Sequence, residues 1–320
     1  MKGKEKKYDV LVVGELNVDL ILSDIGSFPE IGKEVFSKDM ILTLGSSSAI
    51  LANNLSIWGV NVAFLGKLGK DSYSDLVLGT LNRSGVNTDH IIISENSKTG
   101  ITVAFSYGDD RAMVTYPGAM SELKESDVKD EVLKKARHLH VSSVFMQESL
   151  KPDIIKLFKR AKNFGLTTSL DTQWDPFEKW DLDYRNLLPY VDVFLPNETE
   201  LMNLVKTGSV KEAIEKIRDF SNIVVVKQSV KGSELFSKEE TIFQTAFLNE
   251  NVVDAIGAGD SFNAGFLKEY LKKSDLKKCM EQGAVSGAVN TTGPGGTGAF
   301  QNMKEVHDMA AKILNNSKQE

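Results

Sequence analysis

Residues 254–260 read Asp-Ala-Ile-Gly-Ala-Gly-Asp and run without a break into Ser-Phe-Asn-Ala-Gly-Phe-Leu-Lys-Glu-Tyr, ending at Tyr270. This is a small-residue loop opening a helix. Gly257, Ala258 and Gly259 leave their backbone amides uncovered, and the helix start adds unpaired N–H groups and the positive end of its dipole, so an oxyanion or phosphate fits there. Asp260 beside such a site becomes useful if it takes the proton from a hydroxyl that attacks a phosphoryl group. A Gly-rich turn whose Asp caps the helix is the competing reading. The loop is not G-x-x-x-x-G-K-[ST], and no G-x-G-x-x-G opens a helix after the first strand, so neither standard phosphate signature applies.

The run D-x-x-G-A-G-D-x-F-N-A-G-F over residues 254–266 resembles the C-terminal signature of the ribokinase-like (PfkB-type) carbohydrate kinases. The resemblance implies that Asp260 is the base that deprotonates the sugar hydroxyl and that Gly257, Ala258 and Gly259 form the anion hole. Further motifs extend it. Gly14, Asn17 and Asp19 match a G-x-x-N-x-D element whose Asp binds sugar hydroxyls, and Asn17 and Asp19 share one face of an extended segment; a turn role for Asp19 is the alternative. Gly45 begins a segment similar to the family's Gly-Gly loop, with Ser46 in place of the second glycine and Ile50 in place of a sugar-binding Asn. Ser46, Ser47 and Ser48 replace the lost donors or cap the helix.

Arg111 falls in the second lid stretch, where the family often carries an arginine that reaches substrate oxygens, with an exposed hairpin arginine as the competing view; a Tyr107/Arg111 pair would suit a substrate with a carboxylate. Asn197 and Glu200 match the N-x-x-E motif associated with Mg²⁺, although a capping box also explains them. For ATP, the matching segments place Lys227, Gly232, Gly259 and Asn290 near the nucleotide, with Lys227 as a solvated strand-end charge the alternative. Some relatives also bind K⁺ near this loop; no ligands are assigned to it. Asp171 ends a strand in the expected crevice, while His138 and His140 read as satisfied strand histidines.

Composition sets the frame for these residues. The chain has 320 residues, 41% apolar and 26% charged, enough for a large core. A net charge of −6 disfavours nonspecific nucleic-acid binding. One cysteine excludes an intramolecular disulfide and a cysteine-based metal cluster, and the basic N-terminal run leads into too few apolar residues for a signal or membrane segment; a cytoplasmic protein is expected.

The positioning elements alternate strand and helix: strands near residues 8–14, 62–66, 138–144, 166–170, 191–195 and 223–227, with helices near 47–58, 72–84 and 152–164 and two across 198–220. The expected fold is three-layer α/β/α, ribokinase-like, with a mainly parallel central sheet. Strand-like stretches at 19–44 and 99–116 lack helices to pair with and predict a small β lid over the carboxyl ends of the strands, with a hairpin turn ending at Arg111. The expectation is one kinase domain over 1–320, its lid formed by about 15–44 and 99–117. Its function is transfer of the γ-phosphoryl of ATP, with Mg²⁺, to a fructose-, ribose- or 2-keto-3-deoxygluconate-like sugar. A nucleoside kinase and a degenerate, sugar-sensing kinase are the alternatives. A homodimer through the lid is expected by analogy, and neither nucleic acid nor membrane is a partner.

Overall fold

The computed structural model describes residues 6–107 and 110–316, with the backbone alone at Asp110 and Arg111. Eight strands form the main sheet in the order Thr241–Gln244, Ser233–Phe236, Ile223–Lys227, Val193–Phe194, Thr167–Asp171, Ala136–Ser142, Tyr8–Val13 and Val62–Leu65. The last six of these run parallel and the first two add an antiparallel edge.

Side chains alternate across a strand, so each central strand must feed two cores. Leu11 and Val13 enter one core with Val141, Leu170, Phe194, Val224 and Val226, covered by helices Ile154–Asn163, Glu198–Val205 and Val210–Ile217. Val10 and Val12 enter the other with Val193 and Val225, covered by Ser47–Ile57, Ser72–Arg83, Ala258–Leu271 and Leu276–Asn290. This is the three-layer ribokinase-like architecture with a mainly parallel sheet.

A second sheet of four strands, in the order Asp39–Leu44, Asn17–Ser23, Gly100–Tyr107 and Asp110–Tyr116, comes from the two stretches that have no helices. Residues 24–38 contain no strand, which corrects the reading of 19–44 as strand-like throughout: Gly26, Pro29 and Gly32 interrupt it. The turn at 108–109 lies outside the described residues. The antiparallel edge and the helix Met303–Asn316 were not legible as elements.

Candidate active site

Strand ends converge on one crevice. Gly14 and Glu15 follow the strand Tyr8–Val13, Asp171 ends Thr167–Asp171, Asn197 follows Val193–Phe194, and Lys227 ends Ile223–Lys227. All are carboxyl ends, where open α/β sheets place their ligand sites.

The loop from Asp254 crosses this crevice. Gly257 precedes the helix Ala258–Leu271 with φ of 76°, and a Cβ there would lie 2.6 Å from Gly296 Cα. No other residue type fits without moving the backbone. Asp254 clamps the loop to its neighbour: Oδ1 accepts from the Ile256 amide at 2.8 Å and Oδ2 from the Gly295 amide at 2.9 Å. Beneath lies a buried polar lattice. Asn290 donates to the Ile256 carbonyl and accepts from Ser261 Oγ, both at 2.7 Å, while Asn54 donates to Ser261 Oγ at 2.8 Å and to the Gly296 carbonyl at 2.9 Å. Asn290, expected at the nucleotide, is buried with both ends of its amide on protein partners. Of the expected anion-hole amides, that of Ala258 donates to the Ala255 carbonyl at 3.2 Å. The Gly259 and Asp260 amides belong to the first helical turn, which has no intrahelical acceptors.

Asp260 is 6% exposed. Burial first, then the Asp171 carboxylate and Glu15, push its pKa up to about 8, against the opposing pull of Lys227 and a bond from Ser47. Gln173 Nε2 donates to Asp260 Oδ1 at 3.0 Å and to Asp171 Oδ2 at 3.1 Å. Lys227 Nζ, 2.6 Å from Asp171 Oδ2, and Asn263 Nδ2, at 2.5 Å, complete that oxygen's donors. Burial pulls the lysine pKa down, but Asp171 and Glu200 outweigh it and hold the ammonium above its ordinary value. A Cβ on Gly259 would sit 3.7 Å from Lys227 Nζ, so the lysine is a fixed positive charge beside the loop and not a solvated strand end.

On the lid side, where substrate residues were expected, a Cβ on Gly45 would collide with Asp19 Oδ1 at 2.3 Å, and Asn17 Nδ2 donates to the same oxygen at 3.1 Å, so Asn17, Asp19 and Gly45 form one cluster. Ser46 takes φ of 71°, the glycine-favoured region. Its hydroxyl accepts from the Ala49 amide at 3.0 Å and donates to the Glu15 carbonyl at 2.7 Å, so it caps the helix. Ser47 bonds to Asp260, and Ser48 Oγ donates to Glu15 Oε2 at 2.5 Å. Ile50, 3% exposed, wedges between Gly257 and Gly296. Tyr107 is half-exposed at the end of its lid strand; the Arg111 side chain lies outside the described residues.

Asn197 and Glu200 form a capping box: the Glu200 amide donates to Asn197 Oδ1 at 2.8 Å, while Glu200 accepts from Asn197 N at 2.9 Å and Nδ2 at 2.7 Å. Burial and Asp171 push Glu200 up to about 7. Among the described residues, no group of three or more His, Cys, Asp or Glu side chains is arranged to hold a metal. Gly232 shapes a turn at φ 114°, where a Cβ would meet the Gln244 carbonyl at 2.1 Å. Glu15, Gln173 and Asn263 were missed. Asn263 lies one turn beyond Asp260 on the same helix face and was findable by spacing; Gln173 depends on a through-space approach that carries no sequence signal.

A parallel-sheet crevice with a buried aspartate at a glycine-lined helix mouth is compatible with a phosphotransferase with an alcohol acceptor, the class to which the family match assigns the chain. The pfkB family carbohydrate kinase model matches residues 7–302, and the chain belongs to that family. It is 24% identical to a 5-dehydro-2-deoxygluconokinase of Geobacillus thermodenitrificans, covering 98% of each chain. It superposes on an Arabidopsis thaliana ribokinase complexed with ribose and ATP with a TM-score of 0.83 and 25% identity, over 95% of this chain and 98% of that one. An adenosine kinase from Sinorhizobium meliloti shares the fold, with a TM-score of 0.80 at 23% identity, over 91% and 95% of the two chains. A candidate ribokinase II from E. coli in complex with ATP and Mg²⁺ also shares the fold, with a TM-score of 0.82 at 20% identity, over 95% and 99% of the two chains.

Proposed function

We propose that this carbohydrate kinase transfers the γ-phosphoryl of ATP to a hydroxyl of a small sugar or sugar acid, with Asp260 as the base. The carrying observation is a buried aspartate whose pKa is pushed up to about 8, at the mouth of a helix that begins with Gly257. An acid poised there can hold a proton taken from the attacking hydroxyl. The oxygen–hydrogen bond of the acceptor breaks toward Asp260 as its oxygen attacks the γ-phosphorus, and the bond to the ADP leaving oxygen breaks.

The anion cradle fits a phosphoryl group: Gly257 and Gly259 carry no side chain over the loop, and the Lys227 ammonium lies beside Gly259. Asp19 and Asn17 receive the acceptor's other hydroxyls, with Gly45 and Ser46 shaping that side and Arg111 reaching from the lid. Asn197 and Glu200 satisfy each other directly, so they suit a hydrated Mg²⁺. Held there, such an ion would supply charge neutralisation for the phosphates of ATP. Exposed Met40, Leu42 and Val114, on one face of the lid sheet, support a homodimer through that sheet, which sedimentation tests.

An ADP-release assay over ribose, fructose, 2-keto-3-deoxygluconate, 5-dehydro-2-deoxygluconate and adenosine tests the assignment. Turnover of a sugar or sugar acid that is lost in Asp260→Asn is expected. Turnover of adenosine alone overturns the sugar assignment, and undiminished turnover by Asp260→Asn overturns the base.

A further inference from the structure

Gln173 touches both buried aspartates of the crevice through one nitrogen. Its Nε2 lies 3.0 Å from Asp260 Oδ1 and 3.1 Å from Asp171 Oδ2. Both partners are carboxyl oxygens, so the amide is fixed with its NH₂ toward them, one hydrogen for each. Gln173 also holds φ at 56°, an uncommon conformation for a residue with a Cβ. Asp171 helps to hold it there, its Oδ1 accepting from the Gln173 amide at 3.4 Å. Asp171 is itself immobilised by Lys227 and Asn263. A backbone kept in a sparse region so that one amide can span two carboxyl groups is a built contact.

We propose that Gln173 is a positioning residue for Asp260, fixing the plane of its carboxyl group by tying one oxygen to the Asp171–Lys227–Asn263 cluster. The proposal rests on Asp260 being the base only for its catalytic consequence; the contact itself does not depend on that reading. Removing the amide frees Asp260 to rotate and removes a donor that favours the ionised form. The charged groups facing Asp260 are Asp171 and Glu15, which disfavour ionisation, and Lys227, which favours it, with the Ser47 hydroxyl contributed by the neighbouring helix.

A ¹³C-carboxyl NMR titration of aspartate-labelled protein tests this, with the Asp260 resonance assigned by its loss in Asp260→Asn. In Gln173→Leu the Asp260 midpoint is expected to rise by roughly half to one pH unit, since a donor to the carboxylate is gone. Gln173→Glu, close to glutamine in size, places a third carboxyl group between the two and is expected to raise the midpoint further. Should Gln173→Leu fail to fold, Gln173→Glu carries the measurement alone. A midpoint that stays in place or falls in the folded variants overturns the proposal. With ATP and whichever of the five screened acceptors turns over, the acidic limb of kcat/KM is expected to shift with the NMR midpoint while KM for the acceptor changes little. If the midpoint shifts and the kinetic limb does not, the Gln173 contact is upheld and the base assignment fails.

Discussion

Lys227 Nζ sits 2.6 Å from Asp171 Oδ2, and neither side chain is more than 12% exposed. Removing one member of such a pair strands the other charge in the interior. Lys227→Met is therefore expected to cost about 3–5 kcal/mol of stability. Urea unfolding measures it, and adding Asp171→Asn is expected to restore part of the loss while leaving the enzyme inactive.

Asp260 opposes its own fold at high pH. Its carboxyl titrates near 4 in the unfolded chain and at about 8 in the folded one, so the folded state holds an extra proton between those values and stability falls as pH rises through the window. With Asp260 as the proposed base, activity has the opposite sign, because that base must be ionised: kcat/KM is expected to climb toward pH 8. Asp260→Asn should lose about 10²–10⁴-fold in kcat and gain roughly 0.5–2 kcal/mol of stability at pH 8.5. Thermal unfolding of both proteins at pH 6 and 8.5 checks this, with the gain expected to be larger at pH 8.5 than at pH 6.

Ser46 has two opposed effects. Its φ of 71° favours glycine, while its hydroxyl makes two bonds at the helix start. Ser46→Ala keeps the strain and loses the cap, and is expected to cost about 1–2 kcal/mol. Ser46→Gly relieves the strain and should cost only a few tenths. A denaturation series in which alanine equals or exceeds glycine contradicts this account.

Ile50 fills the space between two glycines. A Cβ added at Gly296 would meet Ile50 Cδ1 at 2.3 Å. Gly296→Ala is thus expected to destabilise by about 1–3 kcal/mol through overpacking. Combining it with Ile50→Val should recover part of that cost, in contrast to additive losses from independent sites. Calorimetry on the two single variants and the double variant decides between coupling and additivity.

His138 and His140 form a buried chain with Thr167, Ser169 and Ser142, through contacts of 2.6–2.8 Å. Burial pulls both histidines down, His140 to about 3. Below pH 6.5 the unfolded chain binds protons that the folded one excludes, so stability drops as pH falls from there toward 3. The loss reaches up to about 1.4 kcal/mol per histidine for each pH unit. His140→Gln should show a shallower fall in urea midpoint between pH 7 and 5 than the parent.

The helix mouth was legible because small residues, an aspartate and an apolar helix follow one another in sequence. The central parallel strands were legible because both of their faces are buried and their apolar runs are continuous. Ser46 read as a departure from pattern, and only its backbone angle shows why glycine is usual there. Gln173 and Glu15 were not legible as site residues, since their contacts join segments far apart in sequence. The edge strands Ser233–Phe236 and Thr241–Gln244 are short and follow a 3-10 turn, leaving too few residues for a period to register.

The Asn54–Ser261–Asn290 lattice fastens the glycine loop from below, through helices, with no bond to the lid sheet. The glycine loop and the lid sheet therefore rest on separate mechanical supports. Exposed lid residues such as Met40 and Val114 can diverge over generations, or be recombined by a designer, while Ser46 and Ile50, on the helix that carries Asn54, stay tied to the glycine loop.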